Sequence, residues 1–509
     1  MSHARMGLPA LGLAATVLVT AGVAWAQHFG DLESRVVEKT LSNGLKVIIL
    51  PRTAAPVISM VTYADVGGVD ENQNATGLAH IFEHMAFKGT TTVGTKDYAK
   101  EVEAMKKEDE AFQALRAERR RRPKPDEAKV KQLENTLKQA EEEAQKYVIP
   151  NEIGEIVERE GGKGLNAFTS FDQTVYHYSL PSNKLELWAT LEADRFTHPV
   201  LREFYKEKDV IMEEKRMGQS QPVGRLLDDF MAVAFKASMY RSFVIGHMSD
   251  LQGITRAQAK EWFAKYYGAK NLTAVIVGDV DPKTILPMLE KTLGRIPPGE
   301  KPGPVITQEP PQRSEKRIAM DDPSQPFLFI AYHKPDINDP DNAVYDAITD
   351  VIAEGRSSRL SKALVKEKKV ALAAGAFTEL GQKYPGLFMF YAVANKGKTN
   401  AECEAAIYEE IDKLKSQPVT AAELEGIKAK EKAKFLDSID SNMGLAMNLA
   451  FAQNLQGDWR ATFQTLSKVD KVTADDIQRV AKMIFVKSNR TVGTIETVAQ
   501  KPAEGPAAK

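Results

Sequence analysis

Between residues 297 and 312 the chain carries Pro297-Pro298-Gly299, Pro302-Gly303-Pro304 and Pro310-Pro311. Prolines at this density fix φ and remove backbone donors, so the stretch can join neither a helix nor a sheet interior. It reads as a stiff, extended connector, and the same alternation of signals stands on both sides of it. Before it, Val36–Thr40 and Leu45–Ile49 flank Ser42-Asn43-Gly44, where Asn-Gly supplies the positive φ of a hairpin turn. Further strands are expected at Val57–Tyr63, Val175–Leu180 and Leu272–Val277. After it come strand patterns at Lys316–Met320, Phe327–Tyr332 and Gly386–Ala394, and a helix pattern around Ala343–Ile352. The runs that begin at Asn271 and Asn489 fall at similar places in the two parts. The expectation is a duplicated α+β unit of about 200 residues, with domains at 27–296 and 313–497 joined by 297–312. Residues 498–509 read as a disordered tail.

Composition excludes several function classes. Lysine and arginine number 68 against 69 acids, which argues against a nucleic-acid-binding protein as a whole. The single cysteine, Cys403, rules out internal disulfides, Cys-ligated zinc fingers and iron–sulfur clusters, and no basic partner near it in sequence marks it as a nucleophile. An apolar run from Leu8 to Val23, ending in Ala24-Trp25-Ala26, reads as an export leader over residues 1–26. The mature chain is expected to be periplasmic or secreted, with no membrane-spanning segment. Residues 98–147 interrupt the first part. There Val130, Leu133, Leu137, Ala140, Ala144 and Tyr147 recur at 3-4-3-4-3 spacing, and a looser stripe precedes Pro123-Lys124-Pro125. This predicts an antiparallel helical hairpin with Arg119–Arg122 at its tip, either a solvated spacer or a docking arm.

The chemistry concentrates in His80-Ile81-Phe82-Glu83-His84. On a helix, His80 and His84 share a face, so both imidazoles reach one metal. Glu83 projects beside them, positioned to act as a base without being a ligand. Two histidines and an acid at these offsets arise by chance roughly 0.02 times in a chain of this composition, so the motif is specific. A third ligand has four candidates, Glu203, Glu207, Glu213 and Glu214. His177, His198, His247 and His333 lack ligand spacing.

His-x-x-Glu-His is the inverzincin order, and Gly77–Thr90 closely resembles the pitrilysin/insulinase family, especially mitochondrial processing peptidase and its bacterial relatives. Asn166–Ser170 with Thr174-Val175-Tyr176, Glu207–Glu214, and Gly355–Leu360 are similar to further phrases of that family. The resemblance covers nearly all the chain after the leader, except the 98–147 arm. It implies two homologous α/β-sandwich halves, mostly antiparallel sheet with helices, enclosing a clam-like chamber. It also implies one Zn²⁺ per chain on His80, His84 and Glu214, with Glu83 as general base in peptide hydrolysis. Glu214 is selected by matching the family's Val-Ile-x-x-Glu ending to Val210–Glu214, with Glu213 in reserve. Glu207 resembles the acid that orients a ligand. Asn166 and Ala167 fall on the strand along which the family lays peptide substrates.

One departure bears on mechanism. Relatives carry an arginine and a later tyrosine after the Ser-Arg-Leu phrase, where this chain has Val365 and Leu372. Neither side chain can donate a hydrogen bond. The expectation is therefore the zinc-bearing subunit of a two-chain peptidase, whose homologous partner supplies the Arg/Tyr pair, or else a homodimer. The alternative is a non-catalytic processing or docking subunit that keeps the metal site. The two histidines and a carboxylate also suit other divalent ions.

Overall fold

The computed structural model describes residues 31–499. The expected leader at 1–26, and the expected tail apart from Val498 and Ala499, lie outside the described residues. Six strands, β1 (Val37–Thr40), β2 (Lys46–Pro51), β3 (Val57–Ala64), β4 (Lys163–Thr169), β5 (Thr174–Pro181) and β6 (Leu272–Gly278), form one sheet in the order β1-β2-β6-β3-β5-β4. Five more, β7 (Lys316–Asp322), β8 (Phe327–Lys334), β9 (Ala371–Phe377), β10 (Gly386–Ala394) and β11 (Arg490–Thr497), form a second in the order β7-β11-β8-β10-β9. In each sheet one parallel pair, β2·β6 or β7·β11, is followed by three antiparallel pairs. Apart from β1, the second sheet thus repeats the first strand for strand. The duplication suggested by the runs after Asn271 and Asn489 is β6 against β11.

Strand alternation explains why these runs read as continuously apolar. Val47 and Ile49 of β2, and Ala274 and Ile276 of β6, enter a core shared with Phe82, Trp188 and Phe204. Ile48, Leu50, Val275 and Val277 point the other way, into a core with Leu445, Leu449 and Trp459 from the second half. The reciprocal core sets Leu226 and Phe230 of the first half against Phe329, Met389 and Ile495 of the second. Each sheet is therefore covered on one face by a helix of the opposite half. The chain connector is not a boundary in packing, and it is pinned itself. Glu309 accepts from the N–H groups of Lys236, Ala237 and Ser238, and Val305 N–H donates to the Tyr384 hydroxyl. Beside the end of β4, Asp172 accepts from the N–H groups of Gln382 and Lys383, which latches the halves together near that sheet edge.

Five helices position the site and a sixth seals the first sheet. They are α1 (Leu78–Met85), α2 (Tyr98–Arg119), α3 (Glu127–Gln145), α4 (Phe204–Ser220), α5 (Pro222–Ala234) and α6 (Asn442–Leu455). The α2–α3 pair forms the expected helical hairpin, its base closed where Lys96 N–H donates to the Tyr147 carbonyl. The first helix is not a solvated face. Glu101, Glu108 and Glu118 of α2 are buried, and Phe112 stacks on Tyr205 of α4 at 4.3 Å between ring centroids. For Glu101 and Glu108 the reason is a pair of buried cations that composition alone cannot place. Arg256 pairs with Glu108, and Arg202 bonds both oxygens of Glu101 at 2.7 and 3.2 Å. The remaining Arg202 donors go to the carbonyls of Lys88, Thr90 and Val93. All five guanidinium N–H groups are thus satisfied inside the protein. Arg202→Met strands the Glu101 carboxylate and three carbonyls in the interior. It should lower stability by about 3–5 kcal/mol in urea unfolding, and Arg202→Met with Glu101→Met should recover part of that loss.

Candidate active site

The site is built on α1. Its N-cap, Gly77, has φ 95°, and a side chain there would run into Leu251 and the Ile245 carbonyl. Glu71 caps the helix through space, accepting from the N–H groups of Gly77 and Ala79 at 2.8 Å each. Burial pushes the Glu71 carboxyl up to about 8, against the pull of those two donors. Ile81, Phe82 and Met85 anchor the opposite face in the core, with the Phe82 ring 4.2 Å from that of Tyr267. This leaves His80 and His84 on the open face, ring centroids 4.8 Å apart and 80° to each other.

Glu214 of α4 meets them. Its oxygens lie 3.8 Å from His80 Nε2 and 4.0 Å from His84 Nε2, and one donor atom from each of the three residues falls within 4.8 Å of the others. Among the described residues this is the one group of three such side chains close enough to share a metal ion. The donor chemistry fits zinc. Burial and the neighbouring His84 lower the His80 pKa to about 4, which keeps that ring neutral, and its buried Nδ1 has no partner. Burial opposes charge on His84, but the Glu207 hydrogen bond and the Glu214 and Glu83 carboxylates outweigh it and raise its pKa. Glu207 Oε2 lies 3.4 Å from His84 Nδ1, so that nitrogen donates and Nε2 faces Glu214. Lys88 bonds Glu207 and lies 3.0 Å from Glu203. Although burial works against its charge, Glu207 is held below the usual carboxylate range by His84 and Lys88.

Of the other third-ligand candidates, Glu213 points to Arg216 at 2.8 Å, and Glu203 is taken up by Lys88 and Lys206. Glu83 accepts from the Thr169 hydroxyl at 2.6 Å, which ties the acid to the end of β4. Burial raises the Glu83 pKa, while Thr169 and His84 pull it back. β4 is an edge strand, paired on one side only with β5. Asn166 on it is exposed and Ala167 buried. Val365 is half-buried, and Leu372, on the matching edge strand β9, is 55% exposed. Cys403 is buried, its thiol pushed up to about 11 by burial. Thr169 and Lys88 stand inside quoted motifs, but their partners are visible only in three dimensions; Glu71 had no local signal at all.

Residues 47–115 and 140–246 match the family described as insulinase (peptidase family M16), and residues 253–431 match that described as peptidase M16 inactive domain. Within the arm only 116–139, the outer part of the α2–α3 hairpin, is unmatched, so the family match takes in residues 98–115 and 140–147 of the arm that the resemblance was expected to leave out. The zinc protease PqqE of Helicobacter pylori is 27% identical over 97% of this chain and 98% of its own. The mitochondrial-processing peptidase subunit beta of Saccharomyces cerevisiae is 22% identical over 91% and 93%. A crystal structure of a protease from Helicobacter pylori shares the fold, with a TM-score of 0.75 and 24% identity over 91% of this chain and 99% of that one. So does the periplasmic protease PqqL of Escherichia coli, with a TM-score of 0.67 and 18% identity over 92% of this chain and 49% of that one. The family matches place the chain in a family of peptidases. It belongs to the insulinase family, peptidase family M16.

The Thr169 hydroxyl favours ionised Glu83, so its loss must raise the carboxyl's pKa. In the metal-free protein, Thr169→Val should move the Glu83 titration to higher pH, read from its ¹³C carboxyl shift.

Proposed function

We propose that the chain is a zinc-dependent endopeptidase acting on peptides or unfolded segments, with Glu83 as general base. The supporting observation is the convergence of His80, His84 and Glu214 beside an acid that is itself bonded to an edge strand. His80, His84 and Glu214 would hold one zinc ion, which when bound supplies Lewis-acid chemistry and acidifies a water molecule. An extended peptide adds to the free edge of β4 through main-chain hydrogen bonds, with Asn166 and Ala167 along it. Glu83 takes the proton from the attacking water and returns it to the leaving amine. Glu207 keeps the His84 ring in one tautomer and orientation. The domain limits 27–296 and 313–497 belong to the same reading, as does export by the 1–26 leader to a periplasm or the exterior. No described helix is long and apolar enough to cross a membrane.

Val365 and Leu372 favour the two-chain version of this reading. With no side-chain donor at either position, stabilisation of the developing oxyanion falls short by a few kcal/mol for each missing donor. A homologous chain bearing an arginine and a tyrosine there would complete the site.

The zinc-loaded chain alone should hydrolyse a fluorogenic peptide slowly, and a homologous Arg/Tyr-bearing chain should raise the rate. Glu83→Gln should cost about 10²- to 10⁴-fold in kcat with metal retained. Full enzyme-like turnover by the single chain discards the two-chain requirement, and bound zinc with no hydrolysis in either setting discards the peptidase reading. Glu207→Gln should weaken zinc binding by about 10- to 100-fold in a competition titration against a chelator.

A further inference from the structure

The flank of α4 that meets the arm closes a cavity unrelated to the histidines. About 350 Å³ lies between α4 and the α2–α3 hairpin, inside the range of about 300–1,000 Å³ that holds small-molecule ligands. Phe112, Leu115, Leu137 and Met212 give it apolar walls. Leu137 belongs to the stretch 116–139, so part of the wall comes from residues outside the family match. The charges at the rim cancel. Arg119 is ion-paired with Glu134 at 2.7 Å, and exposed Asp209 is offset by exposed Lys138. An apolar interior with a neutral rim favours an uncharged guest.

Lys208 lines this cavity and is only 2% exposed. It follows Glu207 by one residue, about 100° round the helix, so it faces the arm while Glu207 faces His84. An ammonium has three donors to satisfy. Among the described residues Lys208 has one hydrogen-bond acceptor, the Ile254 carbonyl at 2.6 Å, and no carboxylate pairs with it. The Phe112 ring centre, 4.1 Å from Nζ, compensates only in part. Burial, with Arg116 and Arg119 acting the same way, brings the amine down to about 7 against the pull of Asp209 and Glu141. Glu141 shares the cavity, half-buried, its carboxyl without hydrogen bond or ion pair among the described residues. Burial, then Asp209 and Glu108, push it up to about 7, with Lys206 pulling the other way.

We propose that the cavity beneath the arm takes an apolar aldehyde and that Lys208 captures it as an imine. An uncharged amine and a protonated carboxyl in one apolar enclosure are the two groups this reaction needs near neutral pH. The Nζ lone pair attacks the carbonyl carbon and the π pair moves to oxygen. Glu141 protonates that oxygen and takes a proton from the nitrogen, which gives a carbinolamine. Glu141 then protonates the hydroxyl, which leaves as water while the nitrogen lone pair closes the C=N bond. The proton left on nitrogen returns to Glu141. Amine and aldehyde thus become imine and one water, with no oxidant or reductant consumed. The Ile254 carbonyl holds Nζ at the wall throughout the approach. No residue of the histidine–acid cluster takes part.

The test is reductive trapping. The whole chain is held at pH 7 with benzaldehyde and excess cyanoborohydride, and benzylated lysines are followed by peptide mapping. An ordinary lysine at pH 7 has about 10³-fold less free amine than one titrating near 7, and the lower basicity of the latter takes back part of that gain. Lys208 should therefore react about 10- to 100-fold faster than exposed Lys138 and Lys206. Glyoxylate, an anionic aldehyde, should show no such preference. Leu137→Trp fills the cavity from the arm and should cut labelling of Lys208 about tenfold while leaving Lys206 unchanged. Glu141→Gln should slow Lys208 by about 10- to 100-fold. Lys208 reacting no faster than Lys138 overturns the proposal, as does equal enrichment with glyoxylate. Labelling unchanged by Leu137→Trp or by Glu141→Gln overturns it too. None of these readouts involves zinc or hydrolysis, so the peptidase reading stands or falls separately.

Discussion

Arg202 holds together the parts on which the candidate site depends. Its guanidinium lies inside the protein with all five N–H groups bonded, two to the Glu101 carboxylate of α2 and the rest to carbonyls of the loop that follows α1. Residue 202 stands just before α4 begins. One side chain thus sets the distance between the helix bearing His80 and His84, the helical arm, and the helix bearing Glu207 and Glu214. A planar cation with five directed donors suits this role, because it fixes angles as well as separations. A lysine at 202 could satisfy at most three of those acceptors.

The two halves depend on each other in a similar way. Each sheet is apolar on both faces, and neither half can cover both faces of its own sheet. The exchange of α5 and α6 between halves solves that problem. It also brings the 382–383 backbone onto Asp172, next to the edge strand where Thr169 holds Glu83. Access to the β4 edge is consequently set by how the second half sits, although the acid and the histidines all come from the first.

Much of this was legible in the residues. The hairpin at Asn43-Gly44 forms with Gly44 at φ 92°, and the strands at 57–63, 175–180 and 272–277 lie within a residue or two of their observed limits. The short β9 was not read, since Ala371–Phe377 carries small side chains and no alternation. The arm's helices were read from heptad spacing, but their burial was not. Glu101 and Glu108 look like solvent-facing acids until Arg202 and Arg256, about 100 and 148 positions later, come to meet them. Within the site, spacing alone put His80, Glu83 and His84 together. Spacing left the third carboxylate one of four; the family resemblance singled out Glu214, and the fold of α4 against α1 brings it to the two histidines.

The division follows from the range over which each constraint acts. A helix repeats every 3.6 residues, so a motif spanning five residues determines which side chains share a face whatever surrounds it. The sequence by itself therefore determined the histidine pair, the acid beside it, the duplication and the helical hairpin. How near Glu214 comes to the histidines, and which hydroxyl holds Glu83, depend on the approach of α4 and β4 to α1. That approach is decided by buried ion pairs and glycine contacts between residues far apart in the chain, and so only by the tertiary structure.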